Sequence, residues 1–333
     1  MPKEFDWEKQ TFRQYLIKFS YIGTGYSGLA YTDEATRTIE REIFRCLMLT
    51  KMIKSRETCN FSRCGRTDAG VHAAGNYMSI SLREGIDHLY VLNKVLATDI
   101  VFLSKVEVDS DFNARFRCRQ RIYKYYQPVW VGLDVAKMHA AAQLLVGEHD
   151  FRNFCKMDVS ATVNYVRTIF GVKFNLDIER SVVEIEVSGN GFLWHMIRCI
   201  IAILLLIGEG SESPELILDL LDLEKTPRKP LYPLAHPGGL VLFDCYYPGI
   251  DPGKFQPSEA TLRPHREALA EHLRLAKVLQ CMNGIDSVCA IPNWTQRKNP
   301  HKPLKNRATG PSLEEKVATL KRKLDKAGDT QID

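Results

Sequence analysis

The chain has 333 residues, of which 45% are hydrophobic and 26% are charged, a composition typical of a folded globular protein and not of a disordered one. The net charge of +5 arises in the C-terminal quarter, because residues 251–333 carry 15 basic and 10 acidic side chains whereas residues 1–250 carry 30 of each. Nine cysteines, an odd number without a C-x-x-C pair, argue against a disulfide framework and against a zinc site, and they favour free buried thiols in a reducing compartment.

Hydrophobic patterns predict the elements of an N-terminal half. Residues 1–10 mix charges of both signs and contain no apolar stretch, so we expect neither a secretory nor a transit signal, and a cytoplasmic or nuclear location. Strand-like patterns cover 12–20, 76–83 and 100–108, whereas apolar residues at helical spacing predict a helix over 38–50.

The following half combines the same kinds of element. A helix is predicted over 134–147, with Asp134 as its N-cap. Alternating patterns then predict a hairpin of strands over 166–176 and 181–188, and a last core strand over 239–246. This mixture of helices and strands, with many of the elements joined by short turns, favours an α+β fold with a largely antiparallel sheet flanked by helices.

The C-terminal extension is predicted to be helical and basic. We expect helices over 258–284 and from Ser312 onward, where Ser312 and Glu315 form a capping box. The intervening loop, 287–313, has no acidic side chain, so a solvated surface and an RNA contact are the two interpretations. Its basic residues are Arg297, Lys298, Lys302, Lys305 and Arg307. We therefore divide the chain into an N-terminal α/β half (1–110), a C-terminal α/β half (111–250) and this extension (251–333).

Residues 65–73, GRTDAGVHA, form the most informative segment. Gly65 and Gly70 allow positive φ or a close backbone approach, and Thr67 can hydrogen-bond a loop that lacks a regular ladder. Asp68 would then lie on a rigid turn. From these residues alone an ordinary Asx turn is the commoner interpretation, and a reactive carboxylate is the alternative.

Two other patterns suggest ligand binding. Residues 23–28 match the dinucleotide fingerprint G-x-G-x-x-G, but about ten residues separate this match from the next helix and no acidic residue follows at the expected place, which argues against a nucleotide-dependent oxidoreductase. Six residues at alternate positions are predicted to share one face of an extended strand, where they could contact phosphates and stack on a base; a charge-protected strand edge is the alternative. They are Arg115, Arg117, Arg119, Arg121, Tyr123 and Tyr125.

The nearly apolar segment 192–207 is too short and too interrupted to cross a bilayer, so we expect a core helix there and no membrane partner. Arg198 lies within this segment, and a buried guanidinium requires an anionic partner. Glu148 or Asp150 would be a structural partner, and Asp68 a functional one.

The loop GRTDAGVHA resembles the signature loop of the TruA family of tRNA pseudouridine synthases. Further segments resembling that family appear in the family's order between residues 15 and 247. They are FNARF (112–116), RIYKY (121–125), GEHDF (147–151), FLWHMIR (192–198) and GLVL (239–242).

The resemblance implies a role for each matching position. Asp68 would be the catalytic nucleophile, and Arg198 would pair with it. Tyr123 would stack on the target uracil, Arg66 would help to displace that base from its stem, and Leu240 would pack against the ring. Extruding a stacked base costs a few kcal/mol, which such groups offset. Separately from the resemblance, the alternating pattern favours contacts of the basic residues at 115, 117, 119 and 121 with the phosphates of the RNA.

The resemblance also implies a pseudouridine synthase fold of two pseudo-repeated α/β halves around a central cleft, a tRNA substrate, and chemistry without a cofactor or a metal. Dimers are common among the bacterial members, so a homodimer is expected. His72 and His195 are interpreted as structural histidines, because this chemistry needs no imidazole. A catalytically silent tRNA-binding protein would show the same basic residues, but it need not keep Asp68 together with Arg198.

Within the family, residues 150–158 and the long extension resemble the eukaryotic branch that acts on positions 38 and 39 of the anticodon arm. Ala69 and His72 depart from that branch, where lysine and serine are frequent, and resemble the bacterial members instead. We therefore expect modification at positions 38 and 39, with the target position left open by these two residues.

Overall fold

A computed structural model of the chain describes residues 5–160, 164–255 and 301–328. The predicted helix over 258–284 lies outside the described residues. In chain order the described strands are β1 (Phe12–Tyr21), β2 (Ser62–Arg63), β3 (His72–Arg83), β4 (Ile100–Glu107), β5 (Gln120–Pro128), β6 (Gly147–Asp150), β7 (Val166–Asp177), β8 (Val182–Gly189) and β9 (Leu240–Tyr246). The described α-helices are α1 (Ile39–Leu49), α2 (His88–Val95), α3 (Val135–Gln143), α4 (Met196–Gly208), α5 (Leu216–Leu221) and α6 (Leu313–Gly328).

The chain forms two compact units, each built from two stretches of sequence. The first unit is Met1–Lys124 with Pro237–Asp286, and the second unit is Tyr125–His236 with Ser287–Asp333. The α+β fold class with largely antiparallel strands flanked by helices is confirmed. The division of the sequence into two halves and an extension stays a prediction.

In the first unit the strand order is β4–β1–β3–β9, and β2 pairs with β3. β1 is antiparallel to both β3 and β4, whereas β3 and β9 are parallel. Leu16 and Ile17 are neighbours on β1 and point to opposite faces of the sheet, and both are fully buried, so the sheet is covered on both faces at this point. α1 begins after Thr38, whose side chain accepts a hydrogen bond from the Arg41 N–H, and ends before Thr50, as the sequence predicted.

The second unit contains the antiparallel strands β6, β7 and β8, with β7 and β8 forming the predicted hairpin. α3 packs against α4 and β7, and a Cβ added to Gly208 at the end of α4 would come within 2.6 Å of Met138 on α3. Asp134 caps α3 as predicted, but α3 ends at Gln143 and Gly147 begins a strand.

α4 is the expected core helix, with nearly every residue buried, but it begins at Met196 instead of residue 192. The reason is local: His195 has a φ of +64°, a left-handed conformation that cannot continue a helix toward its N-terminus. No helix in the described part of the chain is long and apolar enough to span a membrane.

Candidate active site

The Asp68 loop, residues 64–71, lies in the first unit and connects β2 to β3. At its end, β3 pairs in parallel with β9, where His72 is opposite Val241 and Ala73 is opposite Leu242. This register brings the buried Leu240, at the start of β9, to the end of the loop. Within the loop, the Val71 N–H donates to the Asp68 carbonyl at 3.1 Å and closes a turn around the carboxylate.

A buried asparagine fixes the start of this loop. The Asn76 side chain on β3 accepts a hydrogen bond from the Gly65 N–H (3.4 Å) and donates to the Gly65 carbonyl (3.1 Å). It also accepts from the Tyr77 N–H at 2.8 Å. Asn76 is fully buried, so these bonds are sheltered from water, in a place where an unpaired polar group would be costly. The loop is therefore held at Gly65 by its own strand.

The residue before the loop, Arg63, is also anchored. Arg63 and Glu40 form a two-point ion pair, one hydrogen bond of which measures 2.8 Å between Arg63 Nη2 and Glu40 Oε2. Glu40 is 1% exposed, and burial raises its pKa although Arg63 opposes the shift. This pair ties α1 to the end of β2.

Thr67 is anchored from β1. Its hydroxyl lies 2.7 Å from the Tyr21 hydroxyl, and the Asn76 amide also donates to that hydroxyl at 3.3 Å. Burial raises the pKa of Tyr21, so this phenol stays neutral and remains a hydrogen-bonding group. Tyr21, Thr67 and Asn76 thus form one buried polar network beneath Asp68, and a fully satisfied network of this kind rigidifies its surroundings.

The glycines at 23 and 28 pack against the other side of the Asp68 loop. A Cβ added to Gly23 would lie 2.0 Å from the Val71 carbonyl oxygen, and one added to Gly28 would lie 2.9 Å from the Thr67 carbonyl oxygen. Gly28 also has a φ of +100°. The apparent dinucleotide fingerprint is therefore explained by two close backbone approaches to the loop that carries Asp68.

His72 belongs to the same packing arrangement. Its Nδ1 accepts a hydrogen bond from the Gly23 N–H at 3.1 Å, which requires a ring without a proton on that nitrogen. Burial lowers the pKa of His72 and favours this neutral form. The interpretation of His72 as a structural histidine fits this geometry.

Exposure within the loop differs from residue to residue. Arg66 and Ala69 are exposed, Asp68 is half-buried, and Thr67 is buried. A carboxylate that is partly exposed and held by rigid neighbours can be approached by a nucleoside without first rearranging the loop.

Tyr123, on β5, lies close to the start of the loop. Its hydroxyl is 3.7 Å from the point that a Cβ on Gly65 would occupy, and a Leu242 methyl is 3.3 Å from the same point. Tyr123 is 7% exposed, and burial raises the pKa of its hydroxyl. The structure thus brings Tyr123, Leu240 and the Asp68 loop together in the first unit, while the stacking role of Tyr123 stays a prediction.

The prediction that residues at alternate positions share one strand face is wrong for Arg115, Arg117 and Arg119, whereas Arg121, Tyr123 and Tyr125 are buried at alternate positions of β5. β5 begins only at Gln120, and the residues before it form a turn in which the Asn113 side chain accepts hydrogen bonds from the Arg115 and Phe116 N–H groups. This local bonding competes with the extended conformation. Arg115, Arg117 and Arg119 are exposed on that turn and the following residues.

Arg121 differs from the other three arginines. It is 9% exposed and donates hydrogen bonds to the carbonyls of Arg115 (2.9 Å) and Cys64 (3.4 Å). In this conformation it supports the turn and the start of the Asp68 loop. The binding of tRNA by Arg121 and by the other three stays a prediction.

Arg198 lies in the second unit, in the first turn of α4. Its Nε donates to the Ala235 carbonyl at 2.8 Å, and the Ala235 N–H donates back to the Arg198 carbonyl at 3.2 Å. The side chain is half-buried, not fully buried as its apolar surroundings suggested. Its pairing with Asp68 stays a prediction.

Sequence reasoning missed Asn76 and Tyr21, which position the loop without resembling a motif. A signal for Asn76 was available, since a polar side chain interrupts the apolar strand directly after Gly75. A second group was also missed: in the part of the chain that the structure describes, the thiols of Cys64, Cys118 and Cys245 are arranged so that they could hold a metal ion.

Known proteins resemble this chain over most of its length. A family model described as tRNA pseudouridine synthase matches residues 141–248. The tRNA pseudouridine(38/39) synthase of Bos taurus is 37% identical, and the match covers 89% of this chain and 69% of that protein. The protein of the same name from Saccharomyces cerevisiae is 38% identical over 75% of this chain and 61% of that protein.

An archaeal relative is matched over nearly its whole length. The tRNA pseudouridine synthase A of Pyrococcus furiosus is 32% identical, and the match covers 80% of this chain and 94% of that protein. Against the animal and yeast relatives, by contrast, the chain spans between 58% and 71% of their length.

Proposed function

Because the chain belongs to the TruA family of tRNA pseudouridine synthases, we propose that it isomerises uridine to pseudouridine in tRNA, at positions 38 and 39 of the anticodon arm. The observation that carries the proposal is the Asp68 loop, in which a partly exposed carboxylate is held between Asn76, the Tyr21–Thr67 pair and the glycines at 23 and 28. The names of the relatives support the tRNA substrate and the two positions.

The reaction breaks one bond and forms another, without net change in atoms. The N-glycosidic bond from N1 of uracil to C1′ of the ribose is cut, the base rotates, and C5 of the base is joined to C1′. The proton on C5 leaves to solvent and N1 takes up a proton. In this proposal the Asp68 carboxylate initiates the reaction on the target nucleoside. The other side chains of the site bind and orient the nucleoside.

The rigidity of the loop contributes through positioning. A reacting group that is displaced by about 1 Å can lose about 100-fold in rate, so the bonds from Asn76 to Gly65 and from Tyr21 to Thr67 act on catalysis through Asp68. Asn76 and Tyr21 are therefore positioning residues, and Asp68 is the catalytic residue.

Arg198 is assigned to pair with Asp68 by the family resemblance. Its anchoring through Nε to the Ala235 carbonyl supports a fixed guanidinium. Replacing it in Arg198→Gln should lower kcat by about 100-fold or more, the usual effect of losing one preorganised electrostatic group, with nearly unchanged tRNA affinity. Arg152→Gln is the matched control, because that guanidinium is half-buried and bound to Asp150 at 2.7 Å. Equal kcat values for the two variants would remove Arg198 from the site.

The exposed arginines of the first unit are proposed to contact the tRNA backbone. Arg66 lies on the loop next to Asp68, and Arg115, Arg117 and Arg119 are exposed at the turn before β5. Phosphate contacts make binding weaker as salt increases, so a variant lacking the last three should show a reduced salt slope. The same slope in wild type and variant would exclude them as phosphate ligands.

A homodimer and a cytoplasmic or nuclear location complete the proposal. The dimer is supported by the family resemblance. Light scattering of the protein as it elutes from a size-exclusion column gives the molar mass and tests the dimer. The location is supported by the seven described cysteines, all free and buried, which fit a reducing compartment. Microscopy of the tagged chain tests the location.

The target positions can be tested with transcripts of one tRNA. A transcript with uridine at 38 and 39 should gain pseudouridine at those positions, and one with cytidine at both should gain none. Pseudouridine that appears elsewhere in the second transcript would contradict the positions while leaving the synthase activity in place.

A further inference from the structure

Three cysteines that are far apart in sequence meet in the first unit. Cys64 is the first residue of the Asp68 loop, Cys118 precedes β5, and Cys245 lies on β9. They are 3%, 6% and 7% exposed, and their sulfur atoms all lie within 4.8 Å of one another. The proposed pseudouridylation uses none of these thiols.

A cation lies beside the three sulfurs. The buried guanidinium of Arg121, which stays charged in proteins, donates a hydrogen bond to the Cys64 carbonyl at 3.4 Å. It therefore places one fixed positive charge beside the cluster.

We propose that Cys64, Cys118 and Cys245 form a binding site for one zinc ion, held by three thiolates directly behind the Asp68 loop. Zinc–thiolate bonds of about 2.3 Å place neighbouring sulfurs about 4 Å apart, which the present separations of up to 4.8 Å approach with small side-chain movements. An all-sulfur site selects a thiophilic metal over magnesium or calcium.

The charge balance favours a divalent ion. Three thiolates and one Zn²⁺ sum to one negative charge, and the Arg121 guanidinium neutralises it. Binding would therefore convert the three cysteine side chains into a zinc trithiolate and release to solvent the thiol protons that they carry. A monovalent ion would leave one uncompensated negative charge in a buried place, which is costly.

The alternative is a cluster of ordinary buried thiols. The Cys118 thiol lies 3.2 Å from the Gln120 carbonyl, and the Cys245 thiol lies 3.9 Å from the Gly75 carbonyl, so each has an acceptor without a metal. Zinc would replace these two weak bonds with coordination bonds. This site departs from the expectation from cysteine spacing, because the ligands come from three separate segments and not from a C-x-x-C pair.

The second unit contains a contrasting arrangement that serves as an internal control. Cys155 and Cys199 are buried there, but the Lys229 ammonium lies 3.2 Å from the Cys199 sulfur and donates to the Cys155 carbonyl. This pair lacks the third thiol that a zinc trithiolate requires.

A bound zinc ion would join three segments around the active-site loop. It would connect the residue before Gly65 to the start of β5 and to β9. Its role is structural, so turnover itself still needs no metal, and the expected benefit is resistance to unfolding by mass action on the folded state.

The test uses the reduced, metal-free full chain. Zinc is titrated in competition with a chromophoric chelator, and cadmium is used separately because thiolate-to-cadmium charge transfer absorbs in the ultraviolet. We expect one ion to bind per chain, and we expect the charge-transfer absorption of the cadmium form to have the intensity of three thiolate ligands. Cys118→Ser should weaken zinc binding more than about 100-fold, the upper range for losing even an outer partner of a metal site, whereas Cys155→Ser should not change it.

A second measurement does not depend on whether the variants fold. Wild-type protein is alkylated with and without zinc, and the modified cysteines are identified by peptide mass spectrometry. Zinc should protect Cys64, Cys118 and Cys245 together and leave Cys155 and Cys199 unchanged. The absence of stoichiometric binding, protection confined to any other cysteine, or a disulfide within the cluster in the reduced protein would overturn the proposal.

Discussion

The packing of Gly28 on the Asp68 loop gives a sharp prediction for Gly28→Ala. The added methyl carbon would lie 2.9 Å from the Thr67 carbonyl oxygen and 3.4 Å from the Asp68 carbonyl carbon. Contacts between a carbon and a carbonyl oxygen are normally about 3.3–3.6 Å, so the loop must move by about half an ångström. Since about 1 Å of misplacement costs about 100-fold, kcat should fall by about tenfold or more.

Gly25→Ala is the matched control. Gly25 also has a positive φ, +85°, so both substitutions carry a backbone penalty of about 1–2 kcal/mol. A Cβ at Gly25, however, would meet only the Arg37 Nη1 atom at 3.9 Å, an ordinary contact. The rate of tritium release at a saturating concentration of tRNA labelled at C5 of uridine gives kcat, and thermal unfolding gives Tm. We expect the two variants to lose similar amounts of Tm, whereas only Gly28→Ala should lose kcat. Equal kcat values for Gly28→Ala and Gly25→Ala would refute the reasoning.

Three further predictions concern stability and binding. Asn76→Ala should lower the free energy of unfolding by about 3 kcal/mol, because three hydrogen bonds to buried backbone groups are lost at about 1 kcal/mol each; urea unfolding measures this, and a loss below about 1 kcal/mol would contradict it. Burial lowers the pKa of folded His72 below its ordinary value of 6.5, so its contribution to stability is present above pH 6.5 and is lost as the pH falls through the folded pKa. His72→Gln should therefore flatten the decline of Tm between about pH 7 and pH 5, and an unchanged decline would show that His72 is not its source. Lys302 and Lys305 are exposed, and replacing both with glutamine should reduce the salt slope of tRNA binding by about 1.5–2 units if each contacts a phosphate; an identical slope would make them plain surface.

The elements that the sequence predicted well are those determined by neighbouring residues. Thr38 caps α1, and Ser312 with Glu315 forms the reciprocal capping box that begins α6, because both signals act over three residues. The hairpin of β7 and β8 was likewise visible in its alternation. Local signals of this kind do not depend on the rest of the fold.

The errors arose where a specific side chain or a distant segment decides the conformation. Asn113 bonds the backbone after it and forms a turn where alternating arginines suggested a strand. The glycines at 23 and 28 match a nucleotide motif that their surroundings argued against, but their true partner, the Asp68 loop, was not identified because it is about forty residues away in sequence. The cluster of Cys64, Cys118 and Cys245 was invisible for the same reason. Residues that meet through long-range contacts of this kind have no fixed spacing in the sequence, so a search for sequence patterns does not find them.

The candidate site itself was identified chiefly by resemblance. GRTDAGVHA pointed to Asp68. The structure adds the contacts that hold its loop and that no motif contained, namely the hydrogen bonds of Asn76 to Gly65 and the Tyr21–Thr67 pair. Arg66 is exposed beside Asp68 and Leu240 is buried at the start of β9, and their roles beside Asp68 stay predictions. Arg121 supports the turn before β5 through its hydrogen bonds, and its tRNA contact also stays a prediction.

The most direct test of the central claim is tritium release from tRNA labelled at C5 of uridine, comparing wild type with Asp68→Asn. Asparagine keeps the size and polarity of the side chain but removes the carboxylate, so tRNA affinity should be retained while release falls to background. Release by wild type alone is the predicted result. Release by Asp68→Asn at the wild-type rate would contradict the assignment of Asp68, and no release by wild type from any tRNA would contradict the proposed activity.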